Sequence, residues 1–220
     1  MKAVMLAVQP KWVEKIANKE KTIEVRKTAP KCEEPFKCYI YCTSSDVHSA
    51  LVVGDGNAKL IHCCNYKSAI PVGGAIGNGK VIGEFICDKV MFLTPLGLRG
   101  FEMREEILKS ICLTNDDLNA YGGLKTIYGW HISDLKIYDK PKELSEFANA
   151  LSNRDIRCKH IEKRQTVNGR QYMKCTLQNC ICEFRRLGWQ TDCIGYEMLK
   201  ERKPITRASQ SWQYVEELEK

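Results

Sequence analysis

The chain has 220 residues, 44% of them hydrophobic and 28% charged, with 34 Lys and Arg against 27 Asp and Glu. That length can bury a sizeable core and suits one domain, or one domain with an appendage, of ordinary soluble globular composition. The first apolar run, residues 3–8, is too short for a secretory signal, and no stretch nears the roughly 18 apolar residues of a membrane span, so a cytoplasmic chain with no membrane partner is expected. There are 12 cysteines; in that compartment disulfides are not expected, and each cysteine reads as a small buried hydrophobe or as a metal-ligand candidate. The net charge of +7 is modest, but residues 148–203 hold 12 Lys and Arg against 6 Asp and Glu and so carry nearly all of it.

In chain order, residues 3–8 predict a buried strand, bounded by Gln9 and Pro10. Pro10 suits the first turn of a helix, where its missing N–H costs nothing. Trp12, Val13, Ile16 and Ala17 then recur at helical spacing, and Asn18 is the residue expected to close the helix in the left-handed conformation. In the strand that follows, Ile23 and Val25 share one face while Thr22, Glu24 and Arg26 share the other. Lys21 has the parity of the apolar face, yet it stands where the turn can redirect it.

Residues 36–43 predict a strand with Phe36, Cys38, Ile40 and Cys42 inward. Residues 44–79 read as irregular, and the glycine-rich run at 73–79 leads into a strand without a Lys-Ser/Thr ending, which rules out a phosphate-binding loop. Residues 80–93 predict one long strand with Gly83 as its bend point. A helix over 98–112 should bury Leu98, Phe101, Leu108, Ile111 and Cys112, and Thr114 with Asp117 should cap a short helix ending at Gly122-Gly123. Strands at 130–138 and 211–216 complete the pattern. The mixed order argues α+β with a small bent β-barrel.

The segment from Lys19 to Arg26 resembles the signature of the ASCH domain, a PUA-like barrel family, whose pattern is Gly-x-Lys-x-x-Glu-x-Arg. Lys21, Glu24 and Arg26 stand in register, and Lys19 replaces the glycine. The setting agrees: a Gln9-Pro10-Lys11-Trp12 helix before the motif, the 36–43 strand after it, and the segments 79–85 and 129–133. The chain is similar to the phage- and prophage-associated branch of the family over residues 1–147 and 204–220, with 148–203 as a basic, Cys-containing insertion before the last strand. The resemblance implies an α+β, PUA-like bent barrel flanked by short helices, with a cleft for nucleic acid or a nucleoside-like ligand. Some small bacterial members hydrolyse acetylcytidine, and others are RNA-binding, RNA-cleaving or parts of transcriptional coactivators. The amidohydrolases have threonine at the position of Glu24, so this chain's expectation shifts from chemistry towards recognition.

Lys21, Glu24 and Arg26 are the first candidate site. A lysine becomes a base or nucleophile when burial or a neighbouring cation lowers its pKa. If Glu24 pairs with Arg26, Lys21 is freed as a base; if Glu24 pairs with Lys21, the lysine is an anion anchor. A surface ion-pair ladder, worth under about 1 kcal/mol, is the third reading. Trp130, His131, Trp212 and Tyr214 are further ligand-binding candidates: the aromatics can stack on a base or plug the core, and His131 can be an acid–base group or a structural histidine. The insertion holds Cys158, His160, Cys175, Cys180, Cys182 and Cys193, of which Cys158, Cys175, Cys182 and Cys193 form the candidate set for a structural zinc. Arg185, Arg186 and Trp189, with the basic run at 200–203, can track phosphates.

The expected function is binding of RNA or a nucleotide-like ligand by Lys21, Glu24 and Arg26. The alternative is an amidohydrolase of a modified nucleoside, with Lys21 and Glu24 catalytic and Glu84, Asp117 or His131 as the further acid–base partner. A third is a protein-interaction module in phage biology.

Overall fold

The computed structural model describes residues 3–53, 56–62, 74–150, 157–158, 161–175, 198–199 and 204–218. Contacts divide the chain into two units, one formed by Met1–Ala150 with Pro204–Lys220 and the other by Leu151–Lys203.

The first unit is α+β. It opens with β1 (Ala3–Val8), α1 (Pro10–Ala17), β2 (Ile23–Arg26) and β3 (Phe36–Cys42). Next come β4 (His48–Val53), β5 (Asn57–His62), β6 (Ala75–Ile76), β7 (Lys80–Cys87) and β8 (Val90–Leu93). Two short helices follow, α2 (Glu105–Ile111) and α3 (Asn115–Gly122), then β9 (Ile127–His131), β10 (Ser133–Glu143) and β11 (Phe147–Asn149). In the second unit lie β12 (Arg157–Cys158), β13 (Ile161–Gln165), β14 (Gln171–Cys175) and β15 (Met198–Leu199), which form two two-stranded ladders, β12 with β15 and β13 with β14. The last strand, β16 (Trp212–Glu217), returns to the first unit.

Among the described residues, three sheets build the first unit: a six-stranded one in the order β10-β7-β3-β1-β16-β11, and three-stranded ones in the orders β2-β9-β8 and β5-β4-β6. β1 runs parallel to β3 and antiparallel to β16 at the centre of the large sheet. Both of its faces are covered, which is why its sequence is apolar without alternation. Val4, Leu6 and Val8 enter a core shared with Val13, Ile40, Phe85 and Trp130, whereas Ala3 and Met5 pack on the opposite face with Tyr39, Phe147 and Val215. A third core joins Ile23, Val25 and Ile127 to Phe101, Ile111 of α2 and Leu118 of α3. Cys38, Cys42 and Cys87 are buried, and desolvation pushes the thiols of Cys42 and Cys87 to about 12. These are core residues, as the alternation of β3 predicts for the first two.

Several expectations are corrected. Among the described residues no closed barrel forms: the predicted 80–93 strand breaks at Asp88-Lys89, and the 130–138 strand breaks at Ile132. At each break the chain leaves one sheet for another, so the hydrogen-bond ladders do not close into a cylinder. At Gly83 the β3–β7 register slips by one residue, and a Cβ there would also stand 2.5 Å from the Lys136 carbonyl oxygen of β10. The stretch after Thr43 contains β4, β5 and β6, with Ala50, Val52 and Ala58 in the core. Within 98–112 only Glu105–Ile111 is α-helical, and Leu98 is 93% exposed. The predicted cap of α3 is present: Asp117 N–H donates to Thr114 Oγ1 at 3.1 Å, and Thr114 N–H donates to Asp117 Oδ2 at 2.9 Å.

Candidate functional site

The turn after α1 sets up the site. Glu20 N–H donates to the Lys15 carbonyl at 2.9 Å and Lys19 N–H to the Ile16 carbonyl at 2.9 Å. These are the paired bonds of a Schellman turn, with Lys19 at the position that glycine usually fills. Lys19 accordingly has φ +61°, whereas Asn18, expected to take that conformation, has φ −83°. The positive φ falls one residue later because Asn18 is still half inside the helix.

Two residues on, Lys21 turns inward. Its Nζ donates to the Ile111 carbonyl at 2.6 Å, and Thr22 N–H donates to the Ser110 carbonyl at 2.9 Å. Both carbonyls belong to the last turn of α2, where no intrahelical partner remains and a cation is electrostatically welcome. The Trp12 ring lies under the ammonium at 5.1 Å. Glu24 then stands between two cations: its Oε1 accepts from Arg26 Nη2 at 2.9 Å, and its Oε2 lies 3.6 Å from Lys21 Nζ. Arg26 also donates to the Ala7 carbonyl at 2.8 Å and to the Ser211 carbonyl at 3.3 Å, fastening β2 to β1 and to the approach of β16.

The two pairings that the sequence left as alternatives coexist. Neither is a surface ladder, since Lys21, Glu24 and Arg26 are only 3%, 6% and 7% exposed. Burial lowers the pKa of Lys21 from its ordinary 10.5, an effect that the Glu24 carboxylate opposes. With Lys21 protonated the cluster carries one excess positive charge. Among the described residues, Arg26 Nε and Trp130 Nε1 are buried without a hydrogen-bond partner, and Glu24 Oε2 has only the 3.6 Å ion pair with Lys21 Nζ.

Trp130 belongs with them. Glu24 of β2 faces Trp130 of β9 in the antiparallel register, and direct cross-strand partners project to the same face. Its indole is fully buried, 5.6 Å from the Phe36 ring and 6.0 Å from Trp212. Trp212 and Tyr214 are half-buried on β16 and meet edge to face at 5.4 Å. Trp212 Nε1 donates to Thr28 Oγ1 at 3.0 Å, and Tyr214 Oη accepts from Lys31 N–H at 2.6 Å, so both hold the segment that follows β2.

His131 pairs with Ile23 and therefore faces away from Glu24. Its Nδ1 lies 2.6 Å from Asp88 Oδ1, and this hydrogen bond holds the Asp88 carboxyl below its usual value. The other candidate acid–base partners are engaged as well. Asp117 caps α3, and Glu84, opposite Tyr39, accepts from Tyr138 Oη at 2.7 Å and from Lys37 Nζ at 3.2 Å. Tyr39 lies in the core on the far side of the large sheet from Trp130. Sequence reasoning missed Trp12 under Lys21 and the carbonyls of Ile111, Ala7 and Ser211; main-chain acceptors leave no trace in residue identity.

Cys158 and Cys175 end short strands whose side chains there are outside the described residues, as are His160, Cys180, Cys182, Cys193, Arg185, Arg186, Trp189 and the 200–203 run. Among the described residues no group of three or more His, Cys, Asp or Glu side chains could hold a metal ion. No described helix is long and apolar enough to cross a membrane.

No protein-family model matches the sequence, and no curated protein matches it. Among solved structures, the chain is similar to that of ASCH from Zymomonas mobilis, with 13% identity and a TM-score of 0.41 over 64% of this chain and 73% of that one. A point mutant of the same Zymomonas mobilis protein gives 15% identity and a TM-score of 0.37 over 66% and 77% of the two chains.

Proposed function

We propose that this chain is an ASCH-type, PUA-like module of the phage- and prophage-associated branch that binds RNA, or a nucleotide-like ligand, through Lys21, Glu24 and Arg26. The observation that carries this reading is a set of buried polar atoms short of hydrogen bonds among the described residues: Arg26 Nε and Trp130 Nε1 have none, and Glu24 Oε2 has only its 3.6 Å ion pair with Lys21 Nζ. Buried polar groups in folded proteins are nearly always paired, and each orphan costs about 1–3 kcal/mol. Two free donors, on the residues that flank Glu24 in space, and a carboxylate with lone pairs to spare suit a nucleobase edge, which presents N–H and carbonyl groups together. The excess positive charge suits a partner that brings phosphate. Trp212 and Tyr214 add half-buried rings beside Trp130, of the kind that stacks on unpaired bases. Access would run past the segment that those two residues hold through Thr28 and Lys31.

The test is a titration of a labelled single-stranded oligoribonucleotide at low salt with the wild-type chain and with Arg26→Met, circular dichroism reporting that both are folded. Binding that weakens with salt and falls by about tenfold or more in the variant is the expected result, the size of a lost charge-assisted hydrogen bond. Absence of binding to any oligonucleotide at low salt would overturn the reading.

One observation favours a hydrolase as second reading: the lowered pKa of Lys21, which moves a lysine towards the range of a general base. The site would then need a partner other than Glu84, Asp117 or His131, given their present bonds. Incubation with acetylcytidine decides it. Turnover lost in Lys21→Met supports catalysis, and no turnover by the wild-type chain removes it.

A further inference from the structure

The three-stranded sheet that carries Glu24 and Trp130 continues beyond them on the same face. Across β2, β9 and β8 the direct partners form two rows, Glu24–Trp130–Val90 and Arg26–Tyr128–Phe92. Direct cross-strand partners share a face, as do residues two apart along a strand, so all six side chains start from one side of this sheet. The first row is closed over by the core, in which Trp130 is fully buried. The second row opens outward: Tyr128 is half-buried, and Phe92 is 72% exposed. Their rings meet with 5.5 Å between centroids and 54° between planes. Ile23, Val25, Leu93 and Ile127, on the opposite face, pack with α2 and α3, and Phe92 belongs to none of the three cores. One exposed apolar side chain is ordinary on a protein surface. Phe92 differs in having a second ring against it and in standing at the outer end of a row that runs to Arg26.

The charge around these strands has one sign. Residues 25–32, 89–101 and 118–133, which include β8, β9 and the end of β2, hold Arg26, Lys27, Lys31, Lys89, Arg99 and Lys125 and not one Asp or Glu. All of these except Arg26 are exposed. The single carboxylate on the three strands, Glu24, is taken up between Lys21 and Arg26. Asp88, just before β8, is bonded to His131, whose side chain leaves the sheet from the other face. Aromatic rings on adjacent strands, with basic residues about them, suit single-stranded nucleic acid: bases stack on the rings and the backbone follows the charges. An apolar protein surface would use the rings and leave the charges without a counterpart.

We infer that Phe92 and Tyr128 form a stacking platform for an unpaired RNA base, one nucleotide along from the base received by Glu24, Arg26 and Trp130. The inference rests on the proposed reading of that cluster and adds a second base to it. Two residues along a strand span about 7 Å, a step that one nucleotide of an extended strand covers.

The experiment is a fluorescence-anisotropy titration of the full chain at low salt with short labelled oligoadenylate and oligouridylate. Phe92→Leu keeps an apolar side chain and removes the ring, whereas Phe92→Trp keeps a ring; the exposure of the position lets both fold, which circular dichroism checks. Val47→Ala, a half-exposed apolar change outside this sheet, is the control, and Arg26→Met reports on the buried cluster. The expected result is that Phe92→Leu binds about tenfold more weakly, the size of one lost base stack, while Phe92→Trp and Val47→Ala bind at least nearly as well as the wild type. Unchanged binding in Phe92→Leu, with Arg26→Met still weakened, would overturn the platform and leave the reading of the cluster standing. Equal losses in Phe92→Leu and Phe92→Trp would overturn stacking. Absence of RNA binding by the wild-type chain would overturn both readings. Self-association of the wild-type chain that Phe92→Leu abolishes, at unchanged RNA affinity, would assign the face to a second copy and overturn the platform.

Discussion

Lys19 shows what a single substituted position does to the backbone. The turn bonds require the left-handed conformation, which costs an L-residue roughly 1–2 kcal/mol, while glycine adopts it freely but gives back roughly 0.5–1 kcal/mol in chain entropy. Lys19→Gly should therefore stabilise the chain by about 0.5–1 kcal/mol, read as a higher urea midpoint at unchanged slope. Glu24 has the opposite expectation. Its carboxylate separates two buried cations, so Glu24→Gln leaves them facing each other and should cost about 3–5 kcal/mol in the same assay. Lys21 adds a pH dependence. Its folded pKa is below 10.5, so between the two values the unfolded chain binds more protons, and stability rises as pH climbs through that window. Urea unfolding from neutral pH upward should show this rise in the wild-type chain and lose that component in Lys21→Met.

Elements read well from the sequence where local chemistry decides them. The amphipathic spacing of α1, the Thr114–Asp117 cap and the apolar run of β1 appear where the residues put them. Thr114→Ala should cost about 1 kcal/mol, because it removes the acceptor for Asp117 N–H. What failed was the reading of where strands change sheets. Residues 80–93 are apolar on both sides of the charged pair Asp88-Lys89, and that pair alone does not announce that β7 and β8 belong to different ladders. The β4–β5 hairpin was hidden by its small residues and glycines. Gly83 stands at the register slip between β3 and β7 and carries a second constraint, the β10 carbonyl, which no local pattern contains. Gly83→Ala should force β7 and β10 apart and destabilise by about 1–3 kcal/mol, measurable as a fall in thermal midpoint.

At the scale of the molecule, the motif was legible but its burial was not. Charge parity along Lys21, Glu24 and Arg26 put Glu24 and Arg26 on one strand face, and only the tertiary fold shows that this face meets Trp130 and the main core instead of solvent. That closure makes the edge of Glu24, Arg26 and Trp130 informative, because Arg26 Nε and Trp130 Nε1 have no hydrogen-bond partner among the described residues and exposed donors would simply be hydrated. The most direct check is the indole N–H resonance of Trp130, one of four tryptophans and so assignable by comparison with Trp130→Phe. If the edge receives a base, adding a single-stranded oligoribonucleotide should shift this resonance in step with binding. RNA binding that leaves the Trp130 resonance in place would contradict recognition at this edge.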